Sequence, residues 1–385
     1  MTQRASADAL RAPSVLVIGD GPAASSSAIG LRGAGAEVRL TRPVPTASPR
    51  LGDSLSPHGR LLVRRLGLDD AFVADEHLPC HANRSDWGPA GTRHVDFIGH
   101  CLGVAHHVDR ERFDARLRER ALAMGARFDV ETRGLSVHRD GERWHCVHSG
   151  GTFDCDFVVD ASGRASWFAR RQGARRIRED RQVALLASGE PACWPGDTMS
   201  AVESTPGGWW YSAPAPRRRW TLAFFTDPDL LDREWRGASG WQSLLDTSRS
   251  TRERLDAHGV ALQRHEVIVA AESARLDRMA GAGWLAAGDA AMSLDPLSSH
   301  GLTVALQSGI DAANAVLARG SDDEAALTKY AHKLEAAFAV YSRQRLALYR
   351  SESRFADQTY WQRRHRVGQN GDQWTHEREG ESRME

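Results

Sequence analysis

Lysine is nearly missing from this 385-residue sequence: of its 50 basic residues, only Lys329 and Lys333 are not arginine. Any chemistry that needs an ammonium group is confined to one C-terminal stretch, because a guanidinium stays protonated and binds as a rigid fork. Net charge is missing as well, since 50 acidic side chains balance the 50 basic ones. No global basic field therefore favours nucleic acid or an anionic membrane. No apolar run reaches the ~18 residues of a membrane span, and no signal-peptide core is present, so a soluble, cytoplasmic protein is expected. The five cysteines (Cys80, Cys101, Cys146, Cys155, Cys193) are odd in number and never spaced C-x-x-C. Reduced thiols fit that pattern better than disulfides or a zinc site, and no metal centre is expected. There is no internal repeat. The length suggests two or three interlocked domains around a large core.

What is present is organised by glycine-marked turns. Val15, Leu16, Val17 and Ile18 read as a buried strand, and Gly19-Asp20-Gly21-Pro22-Ala23-Ala24 as a turn into an alanine- and serine-rich helix. A G-x-G-x-x-A placed between strand and helix marks dinucleotide binding. Gly19 permits the tight turn, Gly21 lets a pyrophosphate approach the backbone, and Ala24 packs helix on strand. The strand over residues 37–40 lacks the terminal acidic residue that holds an adenosine ribose. Arg42 stands nearby instead; either it contacts the adenosine side or the ribose is held from elsewhere.

A second stretch, residues 284–302, reads WLAAGDAAMSLDPLSSHGL. Its apolar run predicts a strand, Gly288 and Asp289 end it, and the Asp289 carboxylate suits a sugar or ribityl hydroxyl. Pro296 stiffens a loop, and Ser298, Ser299, His300 and Gly301 lead into a helix starting at about Leu302. The first turn of that helix offers N–H groups and partial positive charge, suited to the N1/O2 edge of a reduced isoalloxazine. A third strand, residues 157–160, ends in Asp160 followed by Ala161-Ser162-Gly163.

Between these lie patterned elements. Ser56-Pro57 caps a helix with Leu61, Leu62 and Leu66 inward, and Asp109 caps another with Phe113, Leu117, Ala121, Leu122 and Met124 as its stripe. Arg110, at the start of the latter, is either a surface charge or a reach back to cofactor phosphates. Residues 126–159 read as a meander with hairpins at Asp140-Gly141 and Gly150-Gly151. Residues 182–273 alternate as strands (183–188, 198–204, 209–213, 220–226, 267–272) around a helical stretch near 240–258. Residues 321–356 read as a long helix or pair, with Leu327, Leu334, Phe338, Tyr341 and Leu348 near helical spacing. The arginine-dense segment 164–181 reads as a solvated surface, or alternatively as a dock for an acidic peptide.

The order of the three motifs resembles the flavin-dependent aromatic hydroxylases and their relatives. GDSLSP at 52–57 and GWWYSAP at 208–214 are most similar to the tryptophan-halogenase branch. SDWG at 85–88 and HHVDRERFD at 106–114 look more like that branch's monooxygenases, which hydroxylate a peptide- or protein-bound tryptophan in quinone-cofactor maturation. The resemblance implies FAD, with Gly19, Gly21 and Ala24 at the pyrophosphate, Arg110 near the phosphates or ribityl chain, and Asp289 on the ribityl. Asp160 belongs to the same cofactor set, and Pro296, Ser299, His300, Gly301 and Leu302 are expected near the ring. It also implies a lysine near the substrate in halogenases, falling at residues 77–90; only Arg84 offers a cationic long side chain there.

The expectation is therefore an α/β fold. An FAD-binding Rossmann-like domain (13–76, 101–175 and 274–320) carries an inserted antiparallel-sheet substrate layer (77–100 and 176–273). Helices follow at 321–361, with a leader at 1–12 and an unstructured tail at 362–385. The expected reaction is monooxygenation: reduced FAD and O2 give a flavin C4a-hydroperoxide that hydroxylates an electron-rich ring, an indole free or within a peptide. Electrons come from NAD(P)H or a partner flavin reductase. Trp209, Trp210 and Tyr211 are the expected substrate wall, with Arg217, Arg218 and Arg219 following. The base is not readable among His81, His106, His107 and His300, of which His300 is best placed. A tryptophan halogenase, a flavin reductase or dehydrogenase, and a non-catalytic FAD-binding partner remain the alternatives.

Overall fold

The computed structural model describes residues 12–41, 53–97, 100–194, 196, 198–231, 235, 238–318 and 323–366. Its first layer is a six-stranded sheet with the strand Ser14–Ile18 at its centre. That strand pairs in parallel with Phe157–Asp160 on one side and Glu37–Thr41 on the other. All five of its residues are buried, as a sheet covered on both faces requires. The predicted meander forms from Ser136–Asp140, Arg143–His148 and Gly151–Cys155, antiparallel throughout.

The helix Pro22–Gly33 covers this sheet and is itself covered by the helix Gly301–Leu317. Only small residues allow so close an approach. A Cβ added at Gly309 would stand 2.1 Å from Ser26 Oγ and 2.4 Å from the Ala23 carbonyl oxygen.

A second layer is a seven-stranded sheet in the order Val260–Ala270, Val183–Pro191, Arg219–Thr226, Gly208–Ala215, Ser200–Thr205, Ala82–Asp86, Thr92–Asp96. It is antiparallel except where Ser200–Thr205 pairs in parallel with Ala82–Asp86. Residues in the 77–100 segment thus supply strands to the sheet built mainly from 183–270. The last strand begins at Val260, well before residue 267, and its pairing with Val183–Pro191 shifts register between Leu185 and Leu186. The single helical stretch expected near 240–258 is two helices, Ala238–Asp246 and Ser250–His258. The Glu203 carboxylate accepts from the N–H groups of Arg249, Ser250 and Thr251 at 2.8, 3.1 and 2.7 Å, which starts the second helix abruptly.

The C-terminal helix Asp323–Arg350 is followed by Thr359–Arg366, so the first residues assigned to an unstructured tail are helical. Arg364 is 2% exposed and bonds both oxygens of Asp227. Trp361 is fully buried and donates to the Thr205 carbonyl at 2.9 Å. Helical spacing misassigned three leucines: Leu61, Leu122 and Leu348 are exposed at the edges of their apolar stripes, and Val63 is buried in Leu61's place.

Candidate active site

The turn after Ser14–Ile18 leaves no room for a side chain at its first position. Gly19 has φ +132°, and a Cβ there would lie 2.2 Å from the Ala161 carbonyl oxygen. Gly21 is the reverse case: its φ is −84°, and an added Cβ would meet nothing within 4 Å. No side chain caps the helix it opens. An anion beside Gly21 therefore meets the positive helix end directly. The helix Gly301–Leu317 also starts without a side-chain cap, and Gly301 likewise faces open space.

Both helix starts border one cavity of about 440 Å³. The nucleotide-fold side contributes Gly21, Arg110, Asp289, Pro296, Ser299, Gly301 and Leu302; the large sheet contributes Ala184, Leu186, Trp209, Tyr211, Ala223 and Phe225. Arg110 is held by Asp114 one turn on, at 3.2 Å. These features fit an extended FAD: two bare helix starts for diphosphate and ring edge, a carboxylate for hydroxyls, and an apolar wall beyond.

Several expected residues lie elsewhere. Asp160 is fully buried and accepts from Ser162 N and Oγ and from the N–H groups of Phe168 and Ala169 at 2.6–3.1 Å. It caps the helix Trp167–Arg171 and does not line the cavity. Burial raises its carboxyl above the usual range, opposed by these donors. Ala24 is buried between helix and sheet, behind the cavity wall. Trp210 points through the large sheet to its other face. It packs there on Phe224 and Trp241 with ring centroids 4.8 and 5.6 Å away, because adjacent strand residues alternate in direction. His300 is exposed and does not line the cavity; it supplies only the position before the helix. Arg42 lies outside the described residues.

The other candidate bases separate as follows. His81 is exposed. His106 and His107 are both pushed down to about 4, mainly by burial. Arg84 reaches toward Asp86 and borders a different, smaller cavity with Met199 and Arg254.

Four residues at the site are not singled out by the sequence, although Ser54 lies within GDSLSP and Asp295 within residues 284–302. Ser54 and Phe225 line the cavity. Asp295 is 1% exposed and anchors the ring loop: it accepts from Leu297 N and Tyr349 Oη, at 2.9 and 2.7 Å, and pairs with Arg345 at 3.3 Å. Arg164 lies between Glu272 and Asp289 at 3.4 and 3.6 Å. Arg176 and Arg178 also converge on Glu272. Part of the arginine-dense segment is thus turned inward to the site, contrary to a solvated surface. Burial, with Arg164 close by, pushes the Arg176 guanidinium down to about 10.

A mostly parallel nucleotide sheet is joined through one cavity to a large, mostly antiparallel sheet, and the proteins the chain resembles make it an FAD-dependent oxidoreductase. The sequence pattern of the tryptophan halogenases matches residues 89–379, and the chain belongs to that family. LodB of Marinomonas mediterranea, assigned as an FAD-dependent oxidoreductase, is 27% identical over 369 residues, 91% of this chain and 96% of that protein. The solved peptidyl tryptophan dihydroxylase QhpG, described as essential for tryptophylquinone cofactor biogenesis, is 27% identical. It superposes with a TM-score of 0.73 over 92% of this chain and 79% of its own. The flavin-dependent halogenase CmlS shares the fold at a TM-score of 0.79 and 22% identity, covering 97% of this chain and 71% of its own. FAD is the cofactor.

Proposed function

We propose that this enzyme is an FAD-dependent monooxygenase that hydroxylates an electron-rich aromatic ring, the indole of a tryptophan, free or within a peptide. The observation that carries this reading is the cavity's cation set. Arg110 and Arg164 line it and no lysine does. Both lysines belong to the helix Asp323–Arg350, where Lys333 pairs with Asp311 at 2.6 Å and Lys329 borders a separate surface groove. A lysine ammonium beside the substrate is what the halogenase resemblance calls for, and arginine does not replace it. Likeness to QhpG supports a tryptophan substrate in a peptide. Halogenation is the second reading, favoured by the family itself.

Bound and reduced, FAD supplies the activation of O2; NAD(P)H or a partner reductase supplies its electrons. The chain's residues do the rest. The helix start at Gly21 holds the diphosphate, Asp289 accepts from ribityl hydroxyls, and the start at Gly301 stabilises negative charge at the ring edge. Asp295, clamped by Arg345 and Tyr349, keeps the loop of Pro296 and Ser299 in place. Trp209, stacked on Phe225 at 3.9 Å and 13°, forms a water-excluding wall for the substrate. The test is turnover of indole and tryptophan-containing peptides with reduced FAD, labelled O2 and excess chloride or bromide, read by mass spectrometry. Incorporation of labelled oxygen is expected; a halogenated product in its place overturns the reading.

A further inference from the structure

The long C-terminal helix Asp323–Arg350 touches the site through one stripe of side chains. Tyr341, Arg345 and Tyr349 follow one another at intervals of four, which puts them on one face of the helix. All three converge on Asp295. The Asp295 N–H donates to Tyr341 Oη at 2.6 Å, and its carboxylate pairs with Arg345 at 3.3 Å and accepts from Tyr349 Oη at 2.7 Å. Asp295 borders the cavity at the head of the loop that carries Pro296 and Ser299.

Tyr349 has a second attachment, to the large sheet: Trp209 Nε1 lies 3.1 Å from its hydroxyl oxygen. An indole N–H only donates, so Tyr349 accepts from Trp209 and passes its own hydrogen on. Of the acceptors around that hydrogen, Asp295 Oδ2 is nearer than Gln182 Oε1, at 2.7 against 3.1 Å, and it is the charged one. Gln182 Oε1 is supplied instead by Tyr360 Oη at 2.6 Å. Burial, reinforced by Asp295, pushes the Tyr349 hydroxyl well above its usual range, so it keeps its hydrogen. The order is then set: Trp209 donates to Tyr349, and Tyr349 donates to Asp295. Two restraints therefore act on the Trp209 ring. The stack on Phe225 at 3.9 Å and 13° sets its plane, and the bond to Tyr349 sets its rotation within that plane. Trp87, from the SDWG stretch, packs edge-on against Trp209 and Tyr349 at 6.3 and 5.6 Å and keeps the pair together.

Taking the aromatic occupant and the Trp209 wall from the oxygenation reading, we propose that Tyr349 determines which carbon of the substrate ring is modified. It is a positioning residue, outside the cavity lining, that ties the edge of Trp209 to the loop at the flavin ring seat through one shared hydroxyl. A substrate ring lying on Trp209 is thereby held in one rotation relative to that loop, and small displacements of a reacting atom are costly.

The experiment turns over indole with the FAD-loaded full chain, reduced FAD and O2, and resolves the positional isomers of the product by chromatography and mass spectrometry. Tyr349→Phe keeps the ring and removes the shared hydroxyl. The ratio of the major isomer to the others is expected to fall about tenfold, the factor that loss of one buried hydrogen bond allows. Tyr360→Phe is the control: it removes an equally buried hydroxyl whose partners are Gln182 and Tyr349. That variant should melt at a lower temperature and leave the ratio unchanged. An unchanged ratio in Tyr349→Phe, or an equal shift in Tyr360→Phe, overturns the proposal. Which group is added, oxygen or halogen, reports separately on the oxygenation reading. A second readout needs no turnover and decides the matter if indole is not turned over. With ¹⁵N-labelled tryptophan, the indole proton of Trp209, assigned by its absence in Trp209→Phe, should move upfield in Tyr349→Phe and hold its place in Tyr360→Phe. A Trp209 signal that Tyr349→Phe leaves unmoved overturns the proposal equally.

Discussion

Two adjacent tryptophans on one strand should behave as residues of different parts of the molecule. Trp209 and Trp210 are 1% and 0% exposed, so burial alone does not separate them; the face of the sheet does. Trp210→Leu removes a ring from the far face, where Phe224 and Trp241 lie against it. Large-to-small core changes cost ~2–5 kcal/mol. The indole N–H of Trp210 has no hydrogen-bond partner among the described residues, so no hydrogen bond is lost. A Leu refills part of the space, which places the loss at roughly 2–3 kcal/mol and, for a chain of this length, the melting temperature about 2–4 °C lower. Trp209→Leu removes the stack on Phe225 and the bond to Tyr349 Oη at 3.1 Å, and it also enlarges the cavity. Its stability loss should be similar, but KM for an indole substrate should rise severalfold and the product distribution should change. The assay pairs thermal melting and flavin absorbance with steady-state kinetics on folded protein. A rise in KM for Trp210→Leu equal to that for Trp209→Leu, without a matching loss of melting temperature, would refute the assignment of faces.

Gly21→Val should leave the apo chain as stable as before, since its φ is ordinary and a Cβ finds open space, while FAD occupancy after purification falls at least tenfold; retained flavin sinks the diphosphate assignment. Stability should also depend on pH through His107, whose imidazole moves from 6.5 to about 4 on folding. The unfolded chain binds this proton first, so the contribution of about 3 kcal/mol is full above pH ~6.5 and lost as pH falls toward about 4. Urea titrations at pH 7.5 and 5 should show that decline, and His107→Gln should make it shallower, leaving the part due to His106, which is held down to the same degree.

The nucleotide half of the fold was legible because its signals are local: Gly19 and Gly21 act through backbone shape at the strand-to-helix turn, and Asp289 and Gly301 border the cavity from one short stretch of sequence. Asp160 misled because a carboxylate at the end of a strand suits a ligand and a neighbouring helix equally well, and only the fold shows the Phe168 and Ala169 N–H groups above it. Strand alternation dictates that Trp209 and Tyr211 oppose Trp210, but which face meets the cavity depends on how the sheet docks. Ser54 and Asp295 escaped notice because their partners, Tyr211 and Arg345, are far away in sequence, and His107 stood out only as one of four histidines because its Thr198 partner is equally remote. Nothing local distinguishes a buried histidine bonded to a remote backbone carbonyl from one on a surface.

The contact between the helices Pro22–Gly33 and Gly301–Leu317 makes them a ruler. Gly309 meets Ser26, and a Cβ at Gly30 would stand 2.8 Å from that of Ala313, so the two cannot slide without collision. On the proposed assignment, the seat for the diphosphate at Gly21 and the seat for the flavin ring at Gly301 are therefore two marks on one rigid body, spaced before any cofactor arrives. With the two helix starts locked together, the sheet that brings Trp209, Tyr211 and Phe225 to the cavity is the part left to vary what the site accepts.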